Sequence, residues 1–271
     1  MRKKSSQPFQ KKSLSQVFLK DPWPCERIAE TLLENNIKHV VEIGPGGGAL
    51  TKEFLKRGIS VFAVEKDDRF YEILQQQFSK SEEEFGAKFT VVNQSILDFD
   101  MNTFLKENPS YKCVCGNIPY NISTNILSYL LPFLSRIEFS LLLVQLEFAQ
   151  RLASPIGKKS YGSLSVYTQL RSRVNLDFIV DRKYFKPVPR VDSALVSLRR
   201  RESNYSSELL KKVETVTKVA FSKRRKKLSN SLKPLLTEEI EKNLTIDLNK
   251  RCDVLTPEDF IQLTKTLYPN L

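Results

Sequence analysis

Histidine is almost missing from this chain. His39 is the only one in 271 residues, it adjoins the apolar pair Val40-Val41, and no nucleophile stands near it in sequence. Ser-His-Asp and zinc-hydrolase schemes therefore find no support. Cysteine is sparse too: Cys25, Cys113, Cys115 and Cys252. Cys113 and Cys115 share one face of a strand, but no second pair completes a metal or redox site. Buried free thiols are expected, and no metal. No run approaches the roughly 18 consecutive apolar residues of a membrane span, and Leu141-Leu142-Leu143-Val144 reads as a buried strand. The Lys-rich start leads into no signal-peptide core, so a cytoplasmic protein without a membrane partner is expected. Acid is in deficit, with 31 Asp and Glu against 43 Lys and Arg, a net charge of +12. That imbalance favours a polyanionic partner, nucleic acid before membrane.

What is present begins with a strand and a turn. Val40-Val41-Glu42-Ile43 breaks into Gly44-Pro45-Gly46-Gly47-Gly48, and Ala49–Arg57 restarts as a helix with Gly58 as its stop. A second strand, Ile59–Val64, ends in Glu65, 21 residues after Gly44. Strand, glycine turn, helix, strand and terminal acid describe a Rossmann-like nucleotide site in which the acid accepts ribose hydroxyl protons. A dinucleotide and S-adenosylmethionine both fit, although the turn is not spelled G-x-G-x-x-G. Arg69–Phe78 reads as helix, Ser79–Lys88 as a charged loop, and Phe89–Val92 as a third strand. Ser95 to Asp98 follow at its carboxyl end, where an adenine ring would be contacted. The strand Tyr111–Cys115 delivers Gly116-Asn117-Ile118-Pro119-Tyr120 to the same edge. Asn117 offers an amide carbonyl that is not protonated near neutral pH, Pro119 restricts the backbone at Ile118, and Tyr120 offers a flat face. That combination suits an exocyclic amine on a planar base. The bland alternative is an ordinary strand-to-loop turn.

Further on, Ser123 or Thr124 is expected to cap a helix carrying Ile126, Leu127, Leu130 and Leu131. Phe139–Gln145 reads as a buried strand, Tyr161–Leu170 as helix, and Val174–Val180 as strand. Phe185–Arg190 reads as a rigid two-proline loop and Val191–Leu198 as a final strand. At Arg199-Arg200-Arg201 the character changes to short helices. The expected division is a basic flexible N-terminus over 1–13, a catalytic domain over 14–200 and a small helical RNA-binding domain over 201–271. The run Lys223-Arg224-Arg225-Lys226-Lys227 is either a solvated helix face or a set of phosphate contacts, and the global charge favours the second.

Together these motifs resemble the ribosomal RNA adenine N6,N6-dimethyltransferases, and within them the KsgA type acting on small-subunit rRNA. The resemblance is carried by Ser15–Leu19, Glu42–Gly46, Glu65, Asn117–Ser123, Val144–Glu147, Phe185–Ala194 and Phe221–Leu228. It implies an α/β fold: a Rossmann-like S-adenosylmethionine-dependent methyltransferase sheet with a small C-terminal helical domain. It implies a monomer that dimethylates the N6 amines of two adjacent adenines in the hairpin near the 3′ end of 16S rRNA, during small-subunit biogenesis. Gln16, Val17, Leu19, Gly44, Gly46, Glu65, Ser95 and Asn117 would line the cofactor site. Asn117, Ile118 and Pro119 would meet the target amine, and Tyr120 and Phe185 would sandwich the flipped adenine. Two positions depart from the family pattern: Val17 replaces an Asn, and Ser95 replaces an acid, with Asp98 as an alternative acceptor. The sequence leaves three rivals open: a large-subunit rRNA methyltransferase, a non-catalytic RNA-binding assembly factor, and, third, a nicotinamide oxidoreductase.

Overall fold

The computed structural model describes residues 17–202 and 205–270. Gln16 and the basic stretch 1–13 lie outside them. In chain order the elements are β1 (Phe18–Leu19), α1 (Pro22–Glu34), β2 (His39–Ile43), α2 (Ala49–Lys56), β3 (Ser60–Glu65), α3 (Asp68–Gln77), α4 (Ser81–Phe85), β4 (Phe89–Asn93), α5 (Met101–Glu107), β5 (Cys113–Asn117), α6 (Ser123–Leu130), β6 (Phe139–Gln145), α7 (Leu146–Leu152), α8 (Ser163–Gln169), β7 (Ser172–Val180), β8 (Phe185–Lys186), β9 (Ser193–Arg200), α9 (Ser207–Ser222), α10 (Leu228–Ser231), α11 (Glu238–Asn243) and α12 (Pro257–Leu267). Two compact units emerge. One takes in the chain up to Leu146 with Asn175–Arg199; the other holds Glu147–Val174 and the chain from Arg200 onward.

A seven-stranded sheet runs in the order β4-β3-β2-β5-β6-β9-β7. Strands β2 to β6 are parallel to their neighbours, and β9 lies antiparallel to β6. The order reverses direction between β2 and β5, the switch point at which α/β sheets open a crevice beyond their strand ends. Val40, Val41, Val61, Cys113, Val114, Leu141 and Leu143 are fully buried. That matches the near-continuous apolar runs of a sheet covered on both faces. All four cysteines are free and buried, and burial pushes the thiols up, Cys25 to about 12.

Several local expectations need correction. Ser79–Lys88 is not all loop, because Glu82, Glu83 and Glu84 sit in the first turn of α4, where negative charge favours a helix N-terminus, and Gly86 ends it at φ +65°. Neither Ser123 nor Thr124 caps α6. A 3₁₀ turn over Tyr120–Ile122 runs straight into that helix, and Ser123 Oγ donates back to the Pro119 carbonyl at 3.1 Å. The two-proline loop contains β8, which pairs antiparallel with β1.

Within the second unit, Tyr161, Val166 and Leu170 share an apolar cluster with Val213, Val216 and Ala220 of α9 and Phe260 and Leu263 of α12. Tyr161 donates its hydroxyl to the Leu255 carbonyl at 2.9 Å. Those contacts are why residues 147–174, expected in the first domain, group with the helical one. The change near Arg200 coincides with the other crossing between the units.

Candidate active site

Strand ends build the site. Gly44 leaves β2 at φ +61° with open space where a side chain would stand, and Gly46 follows at φ +54°. At Gly46 a Cβ would lie 2.8 Å from Phe18 Cε1, so positive φ and close aromatic approach both require glycine there. Glu65, ending β3, is 4% exposed. Its Oε2 accepts from the Gly46 N–H at 2.9 Å and its Oε1 from the Asp67 N–H at 2.8 Å. Burial raises its pKa while those two donors pull it back. Each oxygen keeps lone-pair capacity for a further donor. The carboxylate thus braces the glycine turn and keeps acceptor capacity in reserve.

Glu42 escaped the sequence reading as a site residue, although an acid in an otherwise apolar strand is a visible signal. Oε2 accepts from Thr51 Oγ1 at 2.6 Å, while Oε1 is buried with no hydrogen-bond partner among the described residues. Burial first, then the charge of Glu65, pushes its pKa up to about 8. A buried polar atom without a partner is costly, and a cationic group in the site would relieve it. The sign of the pH effect follows. Between the ordinary value of 4.5 and about 8, the folded chain holds a proton that the unfolded chain has released. Stability without ligand therefore falls as pH rises through that window and levels off above it. Chemical denaturation of wild type and Glu42→Gln from pH 4 to 9 is expected to show the variant gaining on wild type, by on the order of a few kcal/mol across the window. Parallel curves would exclude this assignment.

Asn117 ends β5. Its Nδ2 donates to the Val17 carbonyl at 2.8 Å, and its Oδ1 is buried without a partner among the described residues. The amide is therefore held by one end while its acceptor stays uncommitted. Beneath it, Gly116 admits no side chain, since a Cβ would meet the Ile43 carbonyl at 2.6 Å. Ile118 is buried and donates its N–H to the Leu143 carbonyl at 3.0 Å. Pro119 stands at φ −58°. The half-buried Tyr120 exchanges a hydroxyl hydrogen bond of 2.7 Å with Ser193 Oγ on β9, which pins the ring, and burial keeps its phenol neutral.

Phe185 departs from expectation. It pairs with Leu19 across β1 and β8 and is wholly buried in the apolar core, so it presents no open face for stacking. Val17 meets Asn117 through its carbonyl, whereas Leu19 is buried in the apolar core opposite Phe185. Phe18, which the sequence reading passed over, covers Gly46 and packs against Phe70 at 5.4 Å. Half-buried Ser95 spends one lone pair on the Leu97 N–H at 3.3 Å, and Asp98 is exposed. Among the described residues no cluster of three or more His, Cys, Asp or Glu could hold a metal ion.

The cationic run is not a helix face. Helix α9 ends before it, and the Lys226 N–H closes a turn on the Lys223 carbonyl at 2.8 Å. Arg224 is turned into its own unit, donating to the Lys158 carbonyl at 2.7 Å and to the Lys159 carbonyl, with Asp253 at 3.4 Å. Lys227 is exposed but donates to Asn249 Oδ1 at 3.0 Å. Lys223, Arg225 and Lys226 are exposed and carry no side-chain bond among the described residues. Arg224 is thus a clamp. Arg224→Ala is expected to destabilise the chain by about 1–3 kcal/mol. Arg225→Ala should leave denaturation unchanged, and equal destabilisation by both variants would refute this division.

The family described as ribosomal RNA adenine dimethylase matches residues 9–268. The chain is 37% identical over 257 residues to the ribosomal RNA small subunit methyltransferase A of Porphyromonas gingivalis, covering 95% of this chain and 97% of that one. In fold it is similar to a dimethyladenosine transferase from Plasmodium falciparum, with a TM-score of 0.72 at 23% identity over 91% of this chain and 95% of that one. It is also similar to the 23S rRNA methyltransferase ErmE, with a TM-score of 0.67 at 28% identity over 92% of this chain and 99% of that one.

Proposed function

The chain belongs to the ribosomal RNA adenine dimethylase family, and from that premise we propose that it dimethylates the N6 amines of adjacent adenines near the 3′ end of small-subunit rRNA, working as a cytoplasmic monomer during subunit assembly. S-adenosylmethionine is the methyl donor and supplies a methyl already activated on a sulfonium. The observation that carries the reading is Asn117: a side-chain carbonyl, buried, oriented by Val17 and left without a partner. The small-subunit preference draws support from the 37% identity to the P. gingivalis enzyme, against 28% to ErmE.

The residues fit the donor. Glu65 would receive the ribose hydroxyls while continuing to hold the glycine turn, and open space at Gly44 leaves room for close approach. Oε1 of Glu42 lacks the kind of donor that an amino-acid ammonium provides. Ser95 keeps a free lone pair for an adenine amino group, weaker than the carboxylate it replaces.

At the target, the adenine lone pair is delocalised into its ring. Asn117 Oδ1 would accept one amine proton and the Ile118 carbonyl the other, favouring a pyramidal nitrogen. As that nitrogen gains positive charge the two acceptors bind it more strongly, which is preorganised electrostatic stabilisation together with orientation. Tyr120, fixed by Ser193, would stack the unstacked base. Phe185 would join it only if the β1–β8 pair moved aside. Labelled methyl transfer to undermethylated small subunits, with mapping of the modified bases, tests the proposal. Label on large-subunit rRNA alone, or none, would refute it.

A further inference from the structure

Beside the active site, the first unit carries an aromatic and basic surface that the methyl-transfer chemistry does not use. Trp23, the only tryptophan in the chain, stands in the first turn of α1 and is 43% exposed. Its ring contacts Tyr184 at 5.5 Å and Phe178 at 5.8 Å, so it is held upright by two half-buried rings. Lys183 Nζ lies 5.2 Å from the Tyr184 ring centroid. Val188 and Val191 are also exposed, at 59% and 44%. The Trp23 ring is therefore held partly in solvent on a built aromatic base.

Charge identifies the occupant. The stretch from Arg182 to Arg190 holds four cations and no acid, and Arg182, Lys183, Lys186 and Arg190 are all exposed. Lys20, also exposed, donates its N–H to the Tyr184 carbonyl at 2.9 Å. Lys183 is paired with Asp181 at 3.4 Å, whereas Lys20, Lys186 and Arg190 carry no ion pair among the described residues, an excess of cation that a polyanion would match. Aromatic faces interleaved with cations are the arrangement that binds single-stranded nucleic acid, bases stacking while phosphates meet the charges. The patch is also tied to the catalytic amide by backbone. Asn117 bonds Val17, β1 follows, and six residues from Val17 reach Trp23 over at most about 20 Å.

We infer that Trp23 and Tyr184, with Lys20, Lys183 and Lys186, form a stacking platform for unpaired RNA flanking the target adenine. The inference rests on the proposed RNA substrate and adds where the neighbouring nucleotides lie. Trp23 would stack one base and the lysines would take its phosphates, so the flipped adenine would be anchored from outside the pocket as well as within it.

The single tryptophan makes the test direct. A short unpaired RNA oligonucleotide, with its binding followed independently by anisotropy, is expected to quench Trp23 fluorescence in the wild-type chain. Trp23→Phe should keep the anisotropy-measured affinity and Trp23→Ala should lose about tenfold. Lys183→Ala with Lys186→Ala should lower the salt slope by one to two units. RNA saturation without quenching, with Trp23→Ala binding like wild type, would overturn the platform. So would quenching by anionic phosphatidylserine vesicles but not by RNA. Methyl transfer to undermethylated small subunits is run on the same samples. Transfer without quenching refutes the platform alone, whereas absence of transfer refutes the proposed function.

Discussion

Asn117→Ala is expected to lower the methyl-transfer rate by about 10²–10³-fold, the usual loss when one preorganised group aimed at developing charge is removed. Cofactor and RNA affinities should change far less. The reason lies in how the two ends of the amide are used. Nδ2 is committed to the Val17 carbonyl at 2.8 Å, which leaves Oδ1 as the only end able to meet an incoming amine proton. Alanine removes that acceptor and also frees Val17. Asn117→Asp separates the two roles, since it keeps an oxygen for the amine but sets a second oxygen against the Val17 carbonyl. It should be impaired, less than alanine, with a larger loss of order around Val17. Single-turnover transfer to undermethylated small subunits, beside cofactor titration, measures both variants. Full activity of Asn117→Ala would remove the residue from the chemistry.

The features that could be read from sequence are those written in short range. Apolar runs flanked by glycine marked β2, β3 and β5, and the acid at the end of β3 marked Glu65 because strand ends converge on one edge. The Asn-Ile-Pro-Tyr turn sets an amide, a fixed backbone and a ring in four consecutive residues. What escaped was set by contacts far apart in the chain. β1 and β8 are two residues each, too short for any period, and Phe185 is buried in the apolar core where they pair. The clamp role of Arg224 depends on carbonyls 65 and 66 residues away, so a run of five cations looked uniform when it is not. Helix α5, a single seven-residue segment capped by Asp100, was not read from the sequence at all. Glu42 was legible as an anomaly but was overshadowed by the glycines after it. Ser193 lay unremarked within the strand Val191–Leu198, although it fixes Tyr120.

Glu65→Gln is expected to weaken cofactor binding by 100-fold or more, a larger effect on affinity than any other single isosteric change at the site. The carboxylate is acceptor-only and meets two backbone donors, the Gly46 N–H on Oε2 and the Asp67 N–H on Oε1. A glutamine of the same shape has one acceptor oxygen and one NH₂. Whichever way it turns, a donor faces a donor, and one buried N–H is left unpaired at a cost of about 1–3 kcal/mol. The group proposed to accept ribose hydroxyl protons also loses its charge, and hydrogen bonds to charged groups contribute about 1.5–3 kcal/mol each. Because the damaged donors belong to the glycine turn and to the cap of α3, the variant should also unfold earlier than wild type. Equilibrium binding of S-adenosylmethionine, read beside denaturation, distinguishes the two losses. Glu65→Asp keeps the charge but shortens the reach, and it should recover part of the affinity if charge dominates. Unchanged affinity in Glu65→Gln would mean that the ribose hydroxyls find their acceptor elsewhere.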